Sequence, residues 1–337
     1  PQDDTGSLRR ALRYGTDYRT FPQQTVLPFR PGEYELEIEK CHGCAQCKAL
    51  TVGTMCPMYR ATRREQASPR AKANLLRHII SGSLDPSSTY GQKAFKTVTD
   101  YCVVCGMCAV ECPSGVNIPL LMLEAKSKHR SLHRASPVEA VLAHAETVSR
   151  LGSAVAPIAN AALKNPALRR VAEPIIGIDR RRPIPGFARG VRVPDSATNV
   201  AQARADRGRA KTADDAGLIP VTVAYFHDLF ARYNEPGLPR AAVAVLEAHG
   251  LRVVVPPQRS SGVPEMLYGY AKAAARAAAW NIGYLAPLVR QGAVIVCTEP
   301  TAGFAFKVHY SDYLRDEDCA LVANASHDLG EFLVRYR

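Results

Sequence analysis

The sequence predicts an α+β multidomain chain, with an all-α, cysteine-bearing domain followed by a small α/β domain built on a parallel sheet. Three observations carry this. The 337 residues, 47% of them hydrophobic, are enough to bury two separate cores. Eight of the ten cysteines fall between positions 41 and 112, among segments of helical periodicity. Beyond position 220, short β-branched runs alternate with helical stretches, the pattern of strands joined by right-handed crossovers.

Taken in order, residues 1–40 form an N-terminal extension that ends in the alternating segment Glu33–Glu39. The cysteine domain spans 41–135. Within it, Ser68-Pro69-Arg70 opens a helix running to Ile80, with proline in the first turn, and another helix follows Cys112-Pro113 through Ile118 to His129. The segment 136–179 is alanine-rich with apolar residues at helical spacing, and 180–219 reads as a basic linker opening with Arg180-Arg181-Arg182-Pro183. In 220–337, strands are expected at Val221–Phe226, Leu251–Val255, Ala293–Cys297 and Cys319–Val322, with helices at Pro239–His249, 265–288 and 304–314.

Composition narrows the class. No window offers roughly 18 consecutive uncharged apolar residues, so no membrane-spanning helix is expected, although peripheral association with a membrane stays open. There is no recognisable signal peptide, which favours a cytoplasmic location. Pro1 at the start fits a processed chain or a part of a longer one.

The cysteine spacing carries the chemistry. The first run is Cys41-x2-Cys44-x2-Cys47-x8-Cys56-Pro57 and the second is Cys102-x2-Cys105-x2-Cys108-x3-Cys112-Pro113. The second matches the bacterial ferredoxin run, in which three closely spaced thiolates hold one iron–sulfur cube and the fourth cysteine serves the other. That rule predicts two [4Fe–4S] clusters in a crossed arrangement. Cys41, Cys44, Cys47 and Cys112 would hold the first, and Cys102, Cys105, Cys108 and Cys56 the second. The longer gap before Cys56 departs from the pattern. Zinc modules usually pair C-x2-C elements and do not use such triplets, and disulfides have no reason to take this spacing. His42 lies inside the first run and is expected to support the cysteines without being a ligand.

The segments Met55–Thr62 and Ser68-Pro69-Arg70, followed by Cys102–Val116, resemble the iron–sulfur region of FAD-linked D-2-hydroxyacid dehydrogenases. That group includes the D-lactate and D-2-hydroxyglutarate dehydrogenase fusions. The iron–sulfur subunits of glycolate oxidase and anaerobic glycerol-3-phosphate dehydrogenase are similar more loosely. The resemblance implies a helical ferredoxin domain that draws electrons from FAD and passes them to a quinone or a small electron carrier. No flavin-binding fingerprint is present, so the FAD is expected on a partner chain or upstream domain, and no catalytic residue is expected here.

Residues 221–315 resemble a divergent cysteine-rich CCG domain of the heterodisulfide reductase type. Ser260-Ser261-Gly262 stands where that family places Cys-Cys-Gly, with His227-Asp228 and Glu299 where further ligands would follow strands. Serine and carboxylate do not replace thiolate at such a centre. His227, Asp228, Ser260, Ser261 and Glu299 could line a polar pocket at the strand ends, but the simpler expectation is loop support. Cys297 and Cys319 read as small buried hydrophobes.

The leading functional reading is therefore an electron-transfer component of a flavin-dependent dehydrogenase of a 2-hydroxyacid. A thiol/disulfide reductase of the heterodisulfide type is the alternative, though it would need cysteines that the last domain lacks. A nucleic-acid or structural role is motivated by the net charge of +12. That role ranks last, because aromatics make up only 7% and do not interleave with the arginines as a stacking platform requires. The charge sits in 41–130 and 180–211, each at +7, while 212–337 is at −2. Around the cysteines, Arg60, Arg63, Arg64, Arg70, Lys72, Arg77, Lys93 and Lys96 are expected to offset the clusters' negative charge.

Overall fold

The computed structural model describes residues 17–51, 54–189 and 221–335. The chain divides into two compact units, Pro1–Arg134 and Ala135–Arg337.

The first unit is helical. Helix α1 (Glu33–Glu39) occupies the alternating segment, entered through Gly32 in the left-handed region. Helical geometry puts Tyr34 and Ile38 together in the core. The glutamates between them are spent on backbone, since Glu35 accepts from the Gln23 N–H at 2.6 Å and Glu37 from the Asn117 N–H at 2.6 Å. Helix α2 (Pro57–Thr62) follows Cys56. Helix α3 (Pro69–Ile80) begins where its sequence signal predicts: Pro69 sits in the first turn, and the Ser68 hydroxyl accepts from the Ala71 N–H at 3.1 Å. It buries Ala73, Leu76, Ile79 and Ile80. Helices α4 (Lys93–Asp100) and α5 (Met107–Glu111) lead to α6 (Ile118–Leu132), capped by the Asn117 side chain. Helix α6 is buried over most of its circumference and forms the centre of the unit, with Leu121, Met122 and Ala125 packed among Tyr34, Leu76 and Phe95.

The second unit opens with four helices: α7 (Pro137–Ala143), α8 (Ala145–Ala154), α9 (Ala156–Lys164) and α10 (Pro166–Ile176). The expected linker at 180–219 is described only as far as 189. There Arg180 and Arg181 pair with Glu173 and Asp179 on the surface. Its second basic group, Arg204–Arg209, lies outside the described residues.

A parallel four-stranded sheet follows, in the order β2-β1-β3-β4. Its strands are β1 (Thr222–Phe226), β2 (Arg252–Val254), β3 (Val294–Cys297) and β4 (Ser326–Asp328). Val223 pairs with Val253 on one side and Val294 on the other. Alternation sends Val223, Tyr225 and Val296 to a core with Leu246, Val253 and Phe332. Next along the chain, Phe226 meets Phe306 edge-on at 4.7 Å.

Helices α11 (Leu229–Tyr233) and α12 (Gly237–Ala248) join β1 to β2. The helix expected at 265–288 is two, α13 (Val263–Leu267) and α14 (Ala271–Arg290), separated at Gly269, which has positive φ. The segment expected as a short helix at 304–314 runs from Pro300 to Leu314 through a π-helical turn, Ala305–His309. The fourth strand is corrected. Cys319–Val322 lies in helix α15 (Glu317–Asn324), and the strand is the next segment, Ser326–Asp328. Asp316 caps that helix by accepting from the Asp318 N–H at 3.0 Å, and Glu317 and Asp318 favour its first turn, so the capping signal outweighs the apolar run. A final helix, α16 (Leu329–Arg335), closes the unit.

Candidate metal centre

The two cysteine runs form loops with matching backbone. In the first, Gly43 and Ala45 flank Cys44 with φ of 80° and 64°; in the second, Val104 and Gly106 flank Cys105 with φ of 56° and 78°. Left-handed residues on both sides of the middle cysteine curl each loop, and in the first run all three cysteines line one cavity. Ala45, and even more the β-branched Val104, hold this conformation against their own preference. Cys56 and Cys112 each precede a proline and adopt extended ψ of 110° and 119°, Cys56 at the start of α2 and Cys112 at the end of α5.

A cavity is lined by Cys41, Cys44, Cys47, Cys108 and Cys112, together with His42, Arg70 and Ser114. Three of these cysteines belong to the first run and two to the second. Burial pushes the Cys47 thiol up to about 11; the Arg70 backbone N–H, which donates to it, works the other way, and the thiols of Cys41, Cys44 and Cys112 add to the rise. The second run gathers similarly. Burial pushes the Cys108 thiol far above its ordinary value, and Cys102, Cys56 and Cys105 raise it further. Cys102 is raised by burial, against the pull of Lys126, Lys72 and the N–H of Val104.

Thiols that converge in a low-dielectric site cannot ionise together unless a cationic group sits among them. This donor set fits an iron–sulfur cube, which supplies that charge and takes four thiolates. Among the described residues, no group of three or more His, Cys, Asp or Glu is arranged to hold a lone metal ion. A cavity lined by five cysteines suits a polynuclear group instead. All ten cysteines are free of disulfides.

His42 turns its ring to Ser114, with Nδ1 and Oγ in hydrogen-bond contact, and so supports the loop that carries Cys112. Of the cations expected around the cysteines, several have other duties. Arg77 donates to the Ile38 and Glu39 carbonyls at 3.1 and 2.8 Å, where it closes the end of α1. Arg64 donates to the Tyr101 hydroxyl, and Lys96 pairs with Asp100. Lys126, absent from the expected set, places its ammonium 2.9 Å from the Cys102 carbonyl oxygen. Its position on α6, one turn from the buried Leu123, is the signal that the sequence offers for it.

In the second unit, the polar residues at the strand ends do meet. Asp228 accepts from the Ser261 N–H at 3.1 Å and from the Ser261 hydroxyl. Glu299 accepts from the N–H groups of Asp228 and Ala231 at 2.7 and 3.0 Å, and the His227 N–H donates to Gln258 at 3.1 Å. Both carboxylates are thus engaged in holding loop backbone. His227 Nδ1 and Ser260 Oγ are buried without a hydrogen-bond partner among the described residues.

These groups have opposed pH responses. Burial, with Arg232 adding to it, pulls His227 down to about 4. Burial pushes Asp228 up to about 6, against its Ser261 hydrogen bonds, and Glu299 adds to the rise. The depressed His227 withdraws stability as pH falls from about 6.5 to about 4, whereas the raised Asp228 withdraws it as pH rises from about 4 to about 6; each amounts to roughly 3 kcal/mol. In His227→Gln the first of these responses is gone. As pH rises from about 4 to about 6.5, the second unit of the variant is therefore expected to fall behind the parent chain by roughly 3 kcal/mol. Urea unfolding at the two pH values checks this, and parallel pH profiles would contradict it.

With the geometry established, comparison with known proteins gives the following. Residues 37–116 match the family model of the 4Fe-4S dicluster domain. The chain is similar to one of the subunits of the anaerobic glycerol-3-phosphate dehydrogenase of Escherichia coli strain K12, 26% identical over 211 residues that cover 62% of this chain and 50% of that protein. It is also similar to D-2-hydroxyglutarate dehydrogenase of Pseudomonas putida KT2440, 23% identical over 314 residues that cover 84% of this chain and 31% of that protein. The chain thus spans half the length of the first relative and under a third of the second. No solved structure gives a significant match. The chain carries a 4Fe-4S dicluster domain, and over a wider span it is similar to parts of two dehydrogenases.

Proposed function

We propose that this chain is the iron–sulfur electron-transfer component of a flavin-dependent dehydrogenase. Cys41, Cys44, Cys47 and Cys112 would hold one [4Fe–4S] cluster, and Cys102, Cys105, Cys108 and Cys56 the other. The observation that supports the reading is the cavity where three cysteines of the first run meet Cys112 of the second, with Cys108 also on its wall, a meeting of the two runs that the crossed ferredoxin pattern requires. When bound, each cluster takes up and releases one electron. The chain's own part is to supply thiolates, to aim the N–H groups of Arg70 and Val104 at sulfur, and to shut out water with the core around Met55, Ile118 and Leu121.

Substrate oxidation belongs to an FAD-bearing chain or upstream domain, with a 2-hydroxyacid as the substrate. The similarity to D-2-hydroxyglutarate dehydrogenase supports this. The acceptor is a quinone or a small electron carrier. The location is cytoplasmic, with peripheral contact to a membrane compatible with the described residues, none of whose helices is long and apolar enough to cross one. The disulfide-reductase reading gains nothing from the structure. Cys297 and Cys319 are fully buried, and burial pushes both thiols up, which leaves them inert.

The test is electron paramagnetic resonance of the reduced, iron-loaded chain, together with its reduction rate when mixed with a hydroxyacid-reduced flavoprotein. Two interacting [4Fe–4S] signals are expected. A single signal, or tightly bound zinc, would overturn the proposal.

A further inference from the structure

Lys72 is out of place for an ordinary helix lysine. It lies in the first turns of α3, where the helix dipole disfavours a cation and where no acidic residue offsets it. It is 1% exposed. Its ammonium donates to the Ala67 carbonyl oxygen at 2.6 Å and forms no ion pair with a carboxylate among the described residues. A buried, uncompensated ammonium is strongly unfavourable unless an anion lies close by. The same Ala67 oxygen accepts from the Cys56 thiol at 3.7 Å, so ammonium and sulfur meet on one atom. The positive field of Lys72 also reaches Cys102 and Cys108.

Among the described residues, the first cysteine set has no buried, carboxylate-free ammonium beside it. Arg70 lines its cavity, but that guanidinium is held by Glu65 at 2.8 Å, the carboxylate that also pairs with Lys48 at 2.6 Å. Those side chains are about a third to a half exposed, so their field is both cancelled and screened.

We propose that Lys72 makes the second cluster the better electron acceptor of the pair, so that an electron arriving at the first comes to rest on the second. The inference rests on the crossed ligand sets proposed above. Reduction adds one negative charge to a cluster, and a fixed cation in low dielectric favours that change. In the transfer, the first cluster gives up one electron and the second gains it, with no proton or further reactant. The flavin of the dehydrogenase supplies the electron.

The test is a redox titration of the full chain, loaded with iron and sulfide and followed by electron paramagnetic resonance. The second cluster's signal is identified by its altered line shape in Cys105→Ser. In Lys72→Met, the second cluster's midpoint is expected to fall while the first's is unchanged, and Lys72→Arg is expected to restore most of the fall. Lys72→Gln, which keeps the hydrogen bond to Ala67, reads the same loss of charge if Lys72→Met does not fold. An unchanged second midpoint, or equal displacement of both, overturns the proposal. Failure of the ligand assignment shows separately, as fewer than two clusters in the unaltered chain.

Discussion

Cys112→Ser is expected to remove half the iron of the loaded chain and to destabilise the first unit by about 5 kcal/mol or more, a large part of a domain's usual stability of about 5–15 kcal/mol. Cys112 ends α5 and lies on the cavity that Cys41, Cys44 and Cys47 also line. The bonds it would make join loops far apart in sequence, and without them the thiols of Cys41, Cys44 and Cys47 lose their fourth partner. Cys319→Ser is the control. Cys319 is fully buried, but it lies in α15 of the second unit and should leave the iron untouched. Iron analysis and calorimetry of both variants make the comparison. Full iron content in Cys112→Ser would reject the crossed arrangement.

The second large effect is expected at Glu124. Its side chain is fully buried on α6, and its carboxylate accepts from the Val26 N–H at 2.8 Å and the Leu27 N–H at 2.8 Å. Lys128 stands one turn away at 4.0 Å. Burial pushes the carboxyl up, against those N–H groups and Lys128. Glu124→Ala leaves two N–H groups without their acceptor and the Lys128 ammonium without its nearby carboxylate, and should cost about 3–5 kcal/mol. It should also release the segment before α1 from the core. Hydrogen exchange at Val26 and Leu27 and the unfolding midpoint read this together, and unchanged protection at those two amides would show that packing alone holds the segment.

Much of the fold can be read from local signals. Ser68-Pro69 and Asn117 mark helix starts through hydrogen bonds they make within three residues, and β1 and β3 show as β-branched runs between helices. The fourth strand is the exception, because Cys319–Val322 is apolar enough for either structure, and the deciding contact is the Asp316 cap. At the candidate centre, cysteine spacing points to the proposed donors, since a metal cluster sets its own geometry. The cations are harder to place. Arg77 and Lys72 are both basic residues on α3, yet one closes a helix end at Ile38 and the other faces Cys56. Lys126 reaches the second run from a helix after it. Such long-range placement depends on how α3 and α6 pack, which spacing along the chain does not encode.

The crossing of the two runs also has a consequence for synthesis. Under the proposed assignment, a ribosome that has released Cys41, Cys44, Cys47 and Cys56 has produced neither complete site. The second becomes fillable only after Cys102, Cys105 and Cys108 emerge, and the first only after Cys112. Metal loading therefore waits until the central helix is about to form, and a nascent chain interrupted before that point holds thiols without a home for iron.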